Sequence, residues 1–181
     1  MALADPLVEL LDEVRAGDAG AARMRERWLR RQAEEGATLG GTLLDLAERR
    51  AAVSLRTQSG RTSHGAVVAV GTDFAVLRGE DGRDTCVRLR AIATVRPQAG
   101  ERHVTASGDR TSPLDLLLIE VLAGLAPDRP RVALVTDGGE LVAGELRAVG
   151  VDVVTLRLDG DRATPCYVAA AAIDEVVVER R

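Results

Sequence analysis

Few side chains in this sequence have the types and spacing that catalysis requires. His64 follows Ser63, but adjacency alone does not make a nucleophile–base pair, and no orienting acid is identifiable beside them. His103 is distant from His64, and the two cysteines, Cys86 and Cys166, form no CxxC pair, which argues against a zinc site. We therefore predict that the protein is not an enzyme and that it holds no metal and no cofactor.

The basic residues exclude several further kinds of site, because all 24 of them are arginine. A chain without lysine has no Walker A phosphate loop, no Schiff-base lysine and no kinase-type lysine. The abundance of Arg, Ala, Gly and Val is typical of a GC-rich coding sequence. Aromatic residues are limited to Trp28, Phe74 and Tyr167, so the core is expected to be aliphatic.

An internal repeat organises the chain. The stretch GAVVAVGTDFAVL at 65–77 returns as GELRAVGVDVVTL at 144–156. At this constant offset of 79 residues, 11 of the 26 positions from Val53 to Arg78 are identical to their counterparts. Further on, the second copy gains about two residues, and Cys86 aligns with Cys166 at an offset of 80. Two copies are too few for a solenoid, so each copy is expected to be a small fold unit of its own.

Each copy reads as five short strands. Apolar and polar residues alternate from Val53, and Gly-containing turns such as QSGR (58–61) and DGGE (137–140) separate the apolar runs. A helix is predicted before each copy, at 42–50 and at 112–124; in the second, Ser112 is the expected N-cap. These patterns predict an α+β protein, mainly β, with two five-stranded barrels that each follow a helix.

Two further helices are predicted at the N-terminus, at 5–17 and 21–35. The second carries five arginines, and we expect its Met24 and Trp28 to dock on the barrels. The alternative is a basic helix that contacts nucleic acid or an acidic partner. The predicted organisation is an N-terminal helical region at 1–37, a first helix and barrel at 38–97, a linker at 98–111 that includes His103, and a second helix and barrel at 112–181.

The glycine spacing in SGRTSHGAV and GGELVAGEL, with VRLRAI at 87–92, resembles the Sm-like (LSm) family of small SH3-like barrels. The resemblance covers about 45 residues twice. It implies the fold, but the Asp and Asn with which RNA-binding members read a base fall here at Gly71 and Ala75, and in the second copy at Gly150 and Val154. The base-reading pocket of the family is therefore expected to be missing.

The two copies differ in surface chemistry. Residues 51–97 carry seven arginines against four acids, whereas the whole chain has a net charge of −4. The candidate basic surface of the first barrel comprises Arg56, Arg61, Arg78, Arg88 and Arg90. The second copy has apolar residues in part of this region, and Val135, Leu141 and Val142 are its candidate interface.

These features predict a non-enzymatic binding or assembly protein whose partner is another protein or a second copy of itself. The alternative is RNA or ribosome-associated binding through the first barrel and the Arg-rich helix. A third, weaker interpretation is a regulator with a small-molecule cleft between the barrels. We find no apolar run long enough to span a membrane and no basic leader before the first apolar stretch, and we expect a cytoplasmic protein.

Overall fold

The computed structural model describes residues 6–100, 110, 112, 114–160 and 164–179, and it describes side chains from residue 18 onward, except for that of residue 19. Over these residues the protein has three α-helices and ten β-strands. The helices are α1 (Pro6–Glu35), α2 (Leu39–Glu48) and α3 (Leu118–Leu125). The first five strands are β1 (Ala52–Thr57), β2 (Thr62–Val70), β3 (Phe74–Arg78), β4 (Asp84–Arg88) and β5 (Ile92–Pro97). The other five are β6 (Arg131–Thr136), β7 (Leu141–Val149), β8 (Val153–Leu158), β9 (Pro165–Ala169) and β10 (Ile173–Val178).

The ten strands form one antiparallel sheet in the order β5-β1-β2-β3-β4-β10-β6-β7-β8-β9. Within this order the same arrangement of five strands occurs twice, once in the first unit (α2 and β1–β5) and once in the second unit (α3 and β6–β10). The predicted α+β class and the five strands per copy are confirmed. The strands join into one continuous open sheet, with β5 and β9 at its edges, and separate closed barrels are not shown.

Each unit packs around its own aliphatic core. In the first unit, β1 alternates between buried and more exposed residues, and Val53 and Leu55 lie with Leu43 of α2 in one cluster. In the second unit, the corresponding Val132 and Leu134 form the other cluster. A strand whose alternate residues enter the core gains about 1.5–3 kcal/mol for each large aliphatic side chain that it buries. The repeated apolar positions therefore define two cores.

Gly65 is shared by both copies because β2 and β3 approach closely at this point. A Cβ atom on Gly65 would lie 2.5 Å from the carbonyl oxygen of Arg78. The equivalent Gly144 faces the main chain of Arg157 in the same way. Main-chain atoms of a central strand cannot move aside without loss of ladder hydrogen bonds, so both positions require glycine.

The helices differ from the prediction in their bounds. The two predicted N-terminal helices are one continuous helix, α1, which includes the residues between the two predicted segments. Helix α2 begins at Leu39, where the Thr38 side chain caps the Gly41 amide at 3.0 Å. Helix α3 begins at Leu118, six residues after the predicted cap, because the Ser112 hydroxyl instead donates to the carbonyl oxygen of Val70.

Met24 and Trp28 of α1 do not dock on the sheet as predicted. Met24 is 71% exposed and Trp28 is 60% exposed, and every described side chain from residue 21 to residue 32 is exposed. The predicted linker lies largely outside the described residues, as does His103. None of the helices, where described, has the length and apolar character needed to cross a membrane.

Candidate functional site: the joint between the units and the free sheet edges

The two units meet where β4 pairs with β10, and we call this contact the joint. Its antiparallel register places Glu175 opposite Val87 and Val176 opposite Cys86, and it continues for two further pairs. The fourth strand of the first unit thus contacts the fifth strand of the second unit. Because the two units are repeats, the joint is a head-to-tail contact between two copies of one fold.

Apolar packing accompanies the strand pairing. Phe74 and Cys86 belong to the first unit, yet they pack in the core of the second unit with Leu118, Leu122 and Val176. Cys86 is buried, and this burial, with a smaller contribution from the charge of Asp84, raises the pKa of its thiol to about 11. The thiol therefore stays protonated at neutral pH and serves as a small apolar side chain.

Asp73, at the bend between β2 and β3, connects the units through hydrogen bonds. Its Oδ1 accepts a hydrogen bond from the backbone N–H of Leu118 at 2.7 Å, at the first residue of α3. Its Oδ2 accepts from the Arg88 guanidinium at 2.5 Å, and Arg88 also donates to the carbonyl oxygen of Ala170 at 3.1 Å. A carboxylate at the positive end of a helix is favourable, so Asp73 fixes the helix that introduces the second unit.

Two further arginines of the first unit reach acids of β10. Arg90 lies 3.0 Å from Oδ1 of Asp174 and also donates to the carbonyl oxygen of Ala171. Arg61 lies 3.6 Å from Oε2 of Glu175, an ion pair longer than a hydrogen bond. Asp174 and Glu175 are 3% and 2% exposed. Burial raises the pKa of Asp174, and the nearby Arg90 opposes this effect only in part.

The joint contains polar atoms without good hydrogen bonds. Nε of Arg88, Oδ1 of Asp174 and Oε2 of Glu175 are buried and have no partner of acceptable hydrogen-bond geometry. The carboxylate oxygens nevertheless lie within ion-pair distance of Arg90 and Arg61, so their compensation is electrostatic. Buried ion pairs of this kind add little net stability, but removal of the arginine is costly because it leaves a buried carboxylate unpaired.

The predicted basic surface is thus mostly engaged within the chain. Arg61, Arg88 and Arg90 lie at the joint, and Arg78 forms a two-pronged ion pair with Asp84 at 2.7 and 3.0 Å. Arg56, Arg61, Arg78 and Arg90 are exposed, and Arg88 is half-buried. The structure therefore does not gather these five side chains into one uncompensated patch.

The acids of the joint were not singled out in the sequence. Asp174 and Glu175 stand next to each other in the apolar run AIDEVVV, where the sequence alone gives no partner for them. A comparison of the two copies could have found these acids, because the first copy has Ala93 and Thr94 at the corresponding positions.

The three candidate apolar interface residues of the second unit occupy different environments. Val135 is 1% exposed and Val142 is 9% exposed, so both are buried inside the chain. Leu141 is 57% exposed and is accessible to another molecule.

The strand registers correct the alignment of the last strands. In β3 and β4, Ala75 lies opposite Val87, and in β8 and β9 the equivalent Val154 lies opposite Val168. The offset is therefore 81 residues, so Tyr167 occupies the position of Cys86, and the pairing of Cys86 with Cys166 was wrong. Tyr167 is 68% exposed, whereas Cys86 is buried in the joint. The contrast arises because β9 is a free edge and β4 is not.

At both free edges of the sheet, residues are exposed whose equivalents contact the other unit at the joint. At the β9 end, Val151 is 98% exposed, whereas the equivalent Thr72 donates its N–H to the carbonyl oxygen of Leu116. At the other end, Leu39 of α2 is 40% exposed, whereas the equivalent Leu118 is fully buried. Each free end of the sheet thus resembles one side of the joint, without the unit that covers that side within the chain.

We find no group of three or more metal-ligating side chains among the described residues. His64, the predicted surface histidine, is exposed on β2. No protein-family model matches this chain, and a comparison with curated proteins finds no match. The fold and its joint define the chain as a tandem β-sheet protein with two unlike free edges.

Proposed function

We propose that this is a non-enzymatic assembly protein, built from two Sm-like units, that associates with other protein chains through its free sheet edges. Its preferred partner is a second copy of itself, with β9 of one chain against β5 of the next. The observation that carries the proposal is the joint, in which the equivalent strands β4 and β10 already pair within one chain.

Repetition of the joint between chains sets a definite register. Thr94 of one chain lies opposite Val168 of the next, and Val95 lies opposite Tyr167, by equivalence with the four pairs of the joint. This arrangement covers Tyr167, and it brings α2 of one chain to the Val151 bend of the other. An exposed edge strand is a template for such pairing, and the large apolar side chains beside it supply the burial.

Prolines make the contact between chains weaker than the joint. Gln98 donates its N–H to the carbonyl oxygen of Ala52, so Pro97 faces the open edge with a nitrogen that has no hydrogen to donate. Pro165 on β9 is the equivalent of Asp84, which pairs with Val178 at the end of the joint. Each missing backbone hydrogen bond removes about 1 kcal/mol, so the association is expected to be reversible.

Charge separates this proposal from RNA binding. The residues that would meet between chains are mainly apolar or uncharged, so association is expected to change little with salt. RNA binding would require a set of free arginines and would weaken steeply with salt. Four of the five arginines of the candidate basic surface contact carboxylates of the same chain.

The test is the mass of the purified protein by sedimentation velocity, from low to high micromolar concentration, after nuclease treatment. We expect species at multiples of 19.2 kDa that grow with concentration and persist at high salt. Tyr167→Glu places a charge in the contact and should yield the monomer. Leu29→Glu is the matched control, because Leu29 is 52% exposed on α1, outside the sheet. A wild-type protein that stays monomeric throughout would refute the proposal.

A further inference from the structure

The charged residues of the joint have no counterparts on the free edges. On the arginine side, the repeat replaces Arg61, Arg88 and Arg90 by Glu140, Ala169 and Ala171. On the acidic side, it replaces Asp174 and Glu175 by Ala93 and Thr94. The two places where unlike units can meet therefore have the same geometry and different charge.

We infer that these five charged residues form a pairing code that reserves β4 for β10 and leaves β9 to accept only β5. The inference rests on the proposed assembly and adds its specificity. Backbone pairing discriminates little, because the edge strands offer the same N–H and C=O groups apart from Pro97 on β5 and Pro165 on β9. Side chains that penalise the wrong partner are then required for a defined order.

The first wrong pairing places β5 of another chain on β4. Arg90 and Arg61 would then face Ala93 and Thr94 in place of Asp174 and Glu175. Arg88, with 14% of its side chain exposed, would keep its ion pair with Asp73 and would lose only the nearby negative charge of Asp174. Arg61 and Arg90 would be left unpaired at 43% and 50% side-chain exposure, so this pairing is disfavoured, but by less than a pairing that leaves a buried acid unpaired.

The second wrong pairing places β10 of another chain on β9. Asp174, which is almost fully buried beside Arg90 in the joint, would face Ala171, which carries no compensating charge. Glu140 would also occupy the place of Arg61 and repel Glu175. Both wrong pairings are therefore penalised, whereas the pairing of β9 with β5 buries no such charge.

Strict alternation of first and second units follows from this code. Every contact between chains joins a second unit to a first unit, and every contact within a chain joins a first unit to a second. The charged joint is fixed, and the neutral contact between chains is the one that opens.

The test introduces the charged residues of the joint at the free edges of the full-length chain. An acid graft, Ala93→Asp with Thr94→Glu, makes β5 resemble β10. Since β9 offers Glu140 and two alanines, the graft should raise the dissociation constant between chains at least about tenfold. Ala93→Asn with Thr94→Gln is the matched uncharged control, and it should shift the constant much less.

A complementary graft on β9 then restores the match. Glu140→Arg, Ala169→Arg and Ala171→Arg, added to the acid graft, should recover association at least to the wild-type level and make it sensitive to salt. If the wild type associates, an acid graft with no greater effect than its uncharged control overturns the code, and failure of the combined graft to associate overturns it in every case. If the wild type is monomeric but the combined graft associates while the acid graft does not, the code holds and the proposed function fails.

Discussion

Removal of the Asp73 carboxylate is the most direct probe of the joint. Asp73→Ala deletes the cap of α3, worth about 1 kcal/mol, and the charge-assisted hydrogen bond to Arg88, worth about 1.5–3 kcal/mol. The two side chains are 26% and 14% exposed, so solvent screens the pair and the lower part of that range applies. We expect a loss of about 2–3 kcal/mol in the free energy of unfolding.

The repeat supplies an unusually close control. Asp152 stands at the same bend of the second unit, but it has no third unit to cap, and the counterpart of Arg88 beside it is Ala169. Asp152→Ala should therefore change the stability of the monomer by no more than about 0.5 kcal/mol. In an assembled sample, the same substitution should weaken association, because Asp152 would approach the start of α2 in the next chain.

The assay is urea denaturation followed by circular dichroism, at protein concentrations below the onset of association. Tryptophan fluorescence is unsuitable, because Trp28 is already 60% exposed in the folded chain. For a chain of this size the predicted loss corresponds to a decrease of about 4–12 °C in Tm. Equal losses for Asp73→Ala and Asp152→Ala would refute the reasoning, since the two residues would then act only through their shared bend.

Three further outcomes follow from the described residues. Gly65→Ala should cost at least about 1–3 kcal/mol by urea denaturation, because its Cβ would meet a carbonyl oxygen of β3 at 2.5 Å, whereas Gly124→Ala on the open face of α3 should be neutral or stabilising. Burial raises the pKa of Asp174, so its ionised form costs stability above the unfolded pKa of about 4, and this cost disappears as the pH falls. At pH 7 the free energy of unfolding of Asp174→Asn should therefore lie within about 1 kcal/mol of the wild-type value. Under acid conditions the wild type should become more stable relative to the variant. A much larger loss of stability for the variant at pH 7 would contradict this. Iodoacetamide should label the half-buried Cys166 in the native protein and Cys86 only after unfolding, and mass spectrometry that finds both labelled at equal rates would be inconsistent with the joint.

The strands were predictable because their signals are local. Alternation at Val53 and Leu55 and the glycines of the turns reflect a two-residue period and a backbone requirement, and both can be read within ten residues. The start of α3 was mispredicted for the opposite reason. Ser112 has the residue type of a cap, but its hydroxyl contacts Val70, while the carboxylate at the start of the helix comes from Asp73, 45 residues away.

The candidate site was likewise predictable only in part. The sequence identified Arg61, Arg88 and Arg90 as distinctive of the first copy, because the second copy lacks them. It did not place them against Asp174 and Glu175, which lie more than 80 residues beyond Arg88 and Arg90 in the chain. The free energy of an ion pair depends on distance and burial, and neither is encoded in the spacing of residues along the chain.

By itself, the sequence determined that this protein is a repeated β-unit with aliphatic cores, helices before each copy and no lysine chemistry. Those properties depend on residue type and short-range period. Only the tertiary structure decided that the two units share one sheet, that the arginines face a joint, and that β5 and β9 are left open. Strand pairing uses backbone groups common to all residues, so the choice of which edges meet is made by long-range packing and charge.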